Sequence, residues 1–542
     1  MRTRALLGFV TSLSLSLISA RAAAQTPPPA KSTAVEISSL RLMREKNLIT
    51  EQEYASALKD IGASVGSVAG DAPALVLGKW SASLYGFIEG DAMLDSTQSF
   101  GDVAGNAQVK RQESKFAPPP TLQNTFAGDH GRLQVSVRNS RFGIRMRAPE
   151  VAHVRASATL EMDFLGTDPS IDPSTAGSGA VSYPLGSGAS EASFWNNPTM
   201  RMRLGYFKVE NPIVDILFGQ YWHLFGWQPA YQPNSVQIQG LPGELYARTL
   251  QLRISKNVPI GPTSLEFALA ALRPPQRDSM TPEITGGIKF DLGQWKGLTT
   301  RGSTSRDLQP LSFAITGTMR NFVAPSFVQQ PTTTISRSTA ALAVVAFVPI
   351  IPASKGHEGN SLTATSQIVM GGGIADMFTG MTGGIAFPTL ANKSKETPTP
   401  IYPQNVENGS VVFDTCSAGP NDPGSSCKEL HPIQWNVFMV GLQYYLPGLH
   451  GRVWVSGNYA HIESPNIANY TRRATTAPVA TDDNYVNAAN VRQAEDFFNA
   501  CLFVDPLESV RVGIEYAHYD DKYVDGVHAI HHRGQLSGFF LF

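Results

Sequence analysis

The chain has 542 residues, with 43 Lys and Arg against 44 Asp and Glu, 16% charged residues and 48 glycines. A net charge of −1 excludes the global basic bias of nucleic-acid binding, and no basic helix or aromatic ladder supports that class locally. Beyond the N-terminus no apolar run approaches the ~18 residues of a membrane helix; the longest, 340–351, contains Pro349. Helical membrane spans are therefore excluded, which leaves a secreted soluble β-protein or a β-barrel.

The N-terminus reads as a secretory signal over residues 1–24. Arg2 and Arg4 form the positive region, 5–20 the apolar region, and Ala22-Ala23-Ala24 the cleavage site before Gln25. Residues 25–78 read as a periplasmic segment: a Pro-rich tether, a helical pair and a Gly/Ala/Ser linker. Val35, Ile37, Leu40, Met43 and Leu48 mark the first helix. Thr50 and Glu53 form a capping box for the second, which carries Tyr54, Ala57, Leu58 and Ile61. Such short helices are marginal alone, so self-association and a plain spacer are both open.

From Lys79 to Phe542 the pattern is strands. Leu84, Gly86, Ile88, Gly90, Ala92 and Leu94 alternate with Tyr85, Phe87, Glu89, Asp91 and Met93. Val154, Ala156, Ala158, Leu160, Met162 and Phe164 alternate with Arg155, Ser157, Thr159, Glu161 and Asp163, and Met200, Met202, Leu204 and Tyr206 with Arg201, Arg203, Gly205 and Phe207. A soluble sandwich also alternates, but a polar face bearing Arg, Glu and Asp on successive strands suits a water-filled lumen. Near Arg138–Asn139 the parity shifts, which predicts a bulge. About sixteen strands follow, joined alternately by tight turns and long loops: an all-β, transmembrane antiparallel barrel. The segment 292–310 breaks that rule, being long where a tight turn is expected.

Cys416 and Cys427 flank a Gly/Pro/Asn/Ser stretch inside the long 372–433 insertion. In an exported protein this spacing reads as a local disulfide; a zinc site is the rival, with no clustered His pair to support it. Cys501 falls in a strand as a small apolar residue. His531 and His532 alternate to opposite faces, so no metal pair is expected there. Walker A, HExxH and GxSxG motifs are absent from the sequence, so an enzyme is not expected, nor a cofactor.

The last strand ends on Leu536, Gly538, Phe540 and Phe542, one face of alternating side chains, and resembles the terminal-phenylalanine signal of bacterial outer-membrane proteins. Ser140-Arg141-Phe142-Gly143-Ile144 followed by VRASATLEMDFLG resembles a hairpin of trimeric bacterial porins, and SLYGFIEGDAML their first strand. A helical hairpin ahead of the barrel, and FGQYWHLFG at 218–226, resemble the DcaP-like porins. That resemblance implies a homotrimer in the outer membrane of a Gram-negative-type bacterium, in contact with its lipids, passing small anionic solutes, often dicarboxylates. The 372–433 insertion departs from the common pattern.

With apolar positions facing lipid, the lumen collects Arg141, Arg145, Arg147, Arg155, Arg201, Arg203 and Arg253. An arginine on the lipid face near mid-bilayer costs about 2–4 kcal/mol. Glu89, Asp91, Glu161 and Asp163 are expected to face this basic wall, making the transverse field that the porin resemblance implies. The alternative is that Arg and Glu on adjacent strands simply pair. In resembling porins the third loop folds inside. Here it would carry Trp222, Phe225, Trp227 and Tyr231 and bring Gln237, Gln239 and Glu244 to the constriction; an interfacial aromatic cap is the other reading. The function expected is passive diffusion of small hydrophilic, anionic solutes. The alternative is a plugged surface barrel whose external loops bind a partner.

Overall fold

The computed structural model describes residues 74–77, 80–112, 126–166, 199–275, 279–301, 304–325, 333–381, 409–413, 429–470 and 491–542. The signal and helical-pair readings, and Cys416 with Cys427, lie outside the described residues. The chain divides into two units, 1–69 with 73–76 and 70–72 with 77–542. Of the first, only part of the short strand Ala74–Leu77 is described.

The second unit is a closed antiparallel barrel of sixteen strands. These are β1 (Trp80–Asp95), β2 (Arg132–Ser136 continuing as Arg141–Arg147), β3 (Arg155–Asp163), β4 (Arg201–Glu210), β5 (Asp215–Trp222), β6 (Arg248–Ile260), β7 (Thr263–Leu272) and β8 (Glu283–Thr299). The second half comprises β9 (Asp307–Pro325), β10 (Thr334–Ile351), β11 (Ser361–Gly372), β12 (Gln434–Tyr445), β13 (Val453–Glu463), β14 (Arg492–Leu507), β15 (Val510–Tyr523) and β16 (His528–Leu541). Each strand pairs with its chain neighbour. Closure is made by β1 on β16, from Phe87 opposite Leu541 to Asp95 opposite Arg533, sealed by reciprocal bonds between Gly86 and Phe542 of 2.9 and 3.0 Å. A closed sheet leaves no edge unpaired, which is what a strand protein in lipid requires. No helix among the described residues is long and apolar enough to cross a membrane.

The even-to-odd connections are short: 148–154, 211–214, 261–262, 300–306, 352–360, 446–452 and 508–509. The long loops gather at the other end, as in barrels of this class. The 292–310 exception dissolves, because β8 and β9 run on past the predicted ends through a register shift between Leu292 and Lys296. Outward positions form an apolar belt, with Ile88, Ile144, Leu160, Phe207, Leu269, Ile315 and Phe438 all exposed.

Two irregularities set which side chains enter the lumen. Between Ser136 and Arg141 the ladder of β2 is interrupted, so that Leu133, Val135 and Val137 face out before the break and Ile144 and Met146 after it. On β4, Glu161 pairs with Leu204 and Met162 with Met202, leaving Arg203 as an extra residue. That bulge corrects the strict alternation expected for β4. Met202 is exposed, Arg203 and Leu204 are both buried inside, and Phe207 rather than Tyr206 points outward.

Strand packing also fixes one aromatic. Tyr85 of β1 lies over Gly143 of β2, where a Cβ would meet the tyrosine ring at 2.5 Å, and its hydroxyl donates to Glu161 Oε2 at 3.0 Å. Gly143→Val should expel Tyr85 from this seat and cost about 1–3 kcal/mol of barrel stability, the usual penalty of overpacking. Urea unfolding of the protein in vesicles measures it; an unchanged midpoint would show that the glycine is not needed for the fit.

Candidate functional site: an arginine-lined constriction

The third long loop, 223–247, turns back into the lumen. A one-turn helix, Phe225–Trp227, starts it, and wall side chains then fasten its backbone. Gly226 N–H donates to Thr316 Oγ1 of β9 at 2.8 Å, and Leu245 N–H to Gln367 Oε1 of β11 at 3.0 Å. Val236 and Gln237 N–H groups both donate to Glu515 Oε2 of β15, at 2.7 and 3.0 Å. Asn458 and Ser456 of β13 donate to the Asn234 carbonyl.

Two other loops meet it. Asn106, in the loop after β1, accepts from Gly243 N–H at 3.2 Å, and the Met377 carbonyl, after β11, accepts from Tyr246 N–H at 2.9 Å. Asp376 of that segment grips Arg320 of β9 with two bonds of 2.6 Å, and Arg320 also bonds Glu283. The three loops carry apolar residues against inward-facing Trp435, Val437, Met439, Phe497 and Tyr519. Parity alone would make these lumen positions polar. They are apolar because burial under the loops removes them from water.

Among the described residues, cavities remain along the arginine-bearing wall of β1 to β6. Arg203, fully buried, is its centre. It donates to Glu161 Oε1 at 2.8 Å, Asp163 Oδ2 at 2.9 Å, Gln239 Oε1 at 3.2 Å and the Tyr246 hydroxyl at 3.0 Å. Arg201 forms a bidentate pair with Asp163 at 3.0 and 2.7 Å, with its side chain 38% exposed. Arg141 lies 3.7 Å from Glu161. Arg145 stacks at 3.8 Å on Tyr85. Arg248 lies 5.1 Å from the Trp222 ring and 5.3 Å from Tyr246, and its Nη1 is buried without a hydrogen-bond partner. Trp222 and Tyr246 meet edge to face at 4.9 Å between their Arg203 and Arg248 neighbours.

Cavities follow this wall in series. The outer one, about 260 Å³, is lined by Asp102, Arg138, Arg201, Gln239, Tyr246 and Arg248 among others. The next, about 230 Å³, includes Tyr85, Arg141, Arg145, Glu161, Tyr246 and Arg301. Tyr246 is common to both. A third, about 360 Å³, shares Arg301 and adds Lys208, Arg253, Lys289, Asp215 and Glu266. Among the described residues, the guanidiniums of Arg141, Arg145, Arg201, Arg203 and Arg248 around Tyr246 meet the carboxylates of Glu161 and Asp163, five against two, so the charge they make is positive.

Several sequence expectations need correction. The acidic residues do not form an opposing wall. Glu161 and Asp163 sit on β3, hydrogen-bonded to β4, where Asp163 is the direct partner of Arg201. Glu89 and Asp91 lie inside β1 but line none of the three cavities, and Asp91 is held by Asn139, Gln535 and Ser537. Arg147 and Arg155 stand exposed at the short-turn rim, Arg155 3.7 Å from Glu210. Arg253 faces the third cavity and donates to the Trp222 carbonyl at 2.6 Å. Trp222 ends β5 rather than belonging to the loop. Trp227 and Tyr231 anchor the loop against Ala268, Ala270 and Phe347. Gln237 turns to β15, and Glu244 is buried in the loop, accepting from Leu241 N–H at 2.8 Å. Of the residues expected for that loop, Gln239 meets the arginines by hydrogen bonds and Trp222 by its ring and carbonyl. Tyr246, Arg248, Arg138 and Arg301 were not singled out; strand parity would send Arg248 outward, since its neighbours Leu250 and Leu252 are exposed. Among the described residues no group of three or more His, Cys, Asp or Glu side chains is placed to hold a metal ion.

A sixteen-stranded barrel with an apolar outer belt and a third loop folded into a charged lumen defines the porin class of transmembrane β-barrel. No family model matches the sequence, and no curated protein matches it. Among solved structures the fold is similar to the outer membrane channel DcaP of Acinetobacter baumannii, with a TM-score of 0.53, 15% identity, 88% of this chain and 100% of that chain covered. An anion-selective porin from Comamonas acidovorans gives 0.40 at 10% identity, covering 85% of this chain and 100% of that one. OmpT, an outer membrane protein of Vibrio cholerae, gives 0.40 at 9%, covering 87% and 100%. The chain therefore has the fold of the DcaP-like porin barrel.

Two predictions follow from the burial of these groups. Arg203→Met strands Glu161 and Asp163 and should cost about 3–5 kcal/mol of stability, whereas Arg201→Met, at a wetter position, should cost far less. Equal costs in urea unfolding would deny Arg203 its central place. Burial pushes the Glu244 carboxyl up to about 8, against the opposing Leu241 N–H. The folded loop thus holds a proton that the unfolded chain has lost above its ordinary value of 4.5. Loop stability should be full at low pH, fall as pH rises to about 8, and level off beyond. Single-channel current noise that rises across this window, and is flat in Glu244→Gln, is the expected record.

Proposed function

We propose that this protein is an outer-membrane porin that passes small hydrophilic anions by passive diffusion, with dicarboxylates the narrower solute class. The observation that carries this reading is the excess, among the described residues, of guanidinium over carboxylate around Tyr246, on a stretch of wall lined by cavities. Guanidinium forks bind carboxylates in two-point geometry, and several fields overlapping in a narrow passage raise the local anion concentration. The fold supports the channel reading, since the DcaP barrel it matches is described as an outer membrane channel. Homotrimeric assembly, export by residues 1–24 and a periplasmic place for 25–78 belong to the same proposal, as does a disulfide between Cys416 and Cys427. The packing of three loops inside the lumen favours one second reading, a barrel plugged at its outer end.

Planar-bilayer conductance with a reversal potential in a salt gradient separates the two. The porin reading expects stepwise, anion-selective channels; stable insertion without current would mean a plug. Arg201→Glu with Arg248→Glu should then shift selectivity toward cations. Selectivity that does not move would remove this wall from the permeation path.

A further inference from the structure

One group of chemistry-bearing residues lies on the outer face, at the loop-bearing ends of β13 to β16. His518 of β15 and His532 of β16 are direct cross-strand partners, both half-buried. Their Nδ1 atoms are 3.3 Å apart, and the Tyr516 hydroxyl is 2.8 Å from His532 Nδ1. Phe498 of β14 stacks on His518 at 4.9 Å. One row nearer the loops, Asp496 and Asp520 face each other across β14 and β15. His461 Nδ1 lies 2.9 Å from Asp496, and His528 Nδ1 2.8 Å from Asp520.

This rim is unusual for an outer face that is otherwise apolar. Like charges directly opposite on neighbouring strands repel, so the Asp pair favours a nearby cation. The imidazole Nδ1 of His532 has a single in-plane position, holding either a proton or a lone pair. It cannot direct that position at both the His518 nitrogen and the Tyr516 oxygen. A tetrahedral ion held by two imidazoles at about 2.0–2.1 Å sets their nitrogens about 3.3–3.4 Å apart, the separation seen here.

We propose that His518 and His532 form a two-histidine site for a divalent transition-metal ion of the zinc class, with Tyr516 as the adjacent oxygen donor and water completing the shell. Among the described residues of this rim, the carboxylates of Asp496, Asp520 and Glu463 outnumber the Lys522 ammonium and draw cations to it. Hard ions such as calcium and magnesium prefer all-oxygen shells and do not compete for two nitrogens. The site faces away from the lumen, so it stands independently of the anion path. Its ligands must be neutral imidazoles, so binding weakens as they protonate.

The refolded full-length protein in detergent micelles, titrated with Zn²⁺ against a chromophoric zinc indicator, tests this. The expected result is uptake of one ion per chain that falls away as pH drops toward 5, and the visible absorption of tetrahedral cobalt when Co²⁺ replaces zinc. His518→Ala and His532→Ala should each lose that uptake while keeping the heat-modifiable gel migration of a folded barrel. His461→Ala should keep it. Absence of uptake by the unaltered protein, or uptake that persists in the His518→Ala/His532→Ala double variant, would overturn the assignment.

Discussion

The buried Arg203 cluster holds the site together. A guanidinium with no exposed side-chain surface is sustained only because two carboxylates, a tyrosine hydroxyl and a glutamine oxygen all meet it. The bulge on β4 makes this possible. By inserting one extra residue it turns Arg203 inward beside Leu204, shifts Tyr206 to the lumen and brings Phe207 to the lipid. Gln239 and Tyr246 reach the same guanidinium from the loop, so the wall and the constriction share one anchor. Neither could move far without stranding a buried charge.

That anchor divides the lumen into two regions with different chemistry. Under β9 to β15 the loops bury apolar side chains of the wall and form a small interior core. Along β1 to β6, among the described residues, cavities bordered by Arg138, Arg201, Arg248, Arg141, Arg145 and Arg301 remain. Among the described residues these cavities are therefore eccentric, lying against one side of the barrel. Its positive character comes from an excess of guanidinium over carboxylate rather than from opposed charged walls. In the transverse-field picture a solute dipole is turned between two charged faces. Here the cavities instead have arginines on one side and amide, aromatic and apolar groups of the loop on the other.

Strand number, their order and the inside faces of β1 and β3 were legible in the sequence, because period-two alternation survives wherever one side meets water and the other lipid. The break on β2 was legible for the same reason, since the parity visibly changes around Arg138. The bulge at Arg203 was not, because Leu204 and Tyr206 are apolar enough to pass as lipid-facing. The inner core was also hidden: Trp435, Val437 and Met439 alternate with apolar outward residues, and nothing local reports a loop that folds back from a distant part of the chain. Arg248 escaped because it sits at a strand end, where the pleat no longer dictates direction. The pairing of Glu161 and Asp163 with their neighbours, rather than with a far wall, is a matter of register, which a sequence pattern leaves free by a residue or two.

The way the third loop is fastened has an evolutionary consequence. Its ties run from its own main-chain amides and carbonyls to side chains of the wall, as with Val236 and Gln237 on Glu515 and Leu245 on Gln367. Main-chain groups are the same whatever residue carries them. A loop side chain that lines a cavity without joining these ties or the Arg203 cluster, such as Gln232, is thus at liberty to vary while the loop stays seated. A barrel built this way can drift from one diet of solutes to another by exchanging a few loop residues, with its fold held constant by selection on the wall.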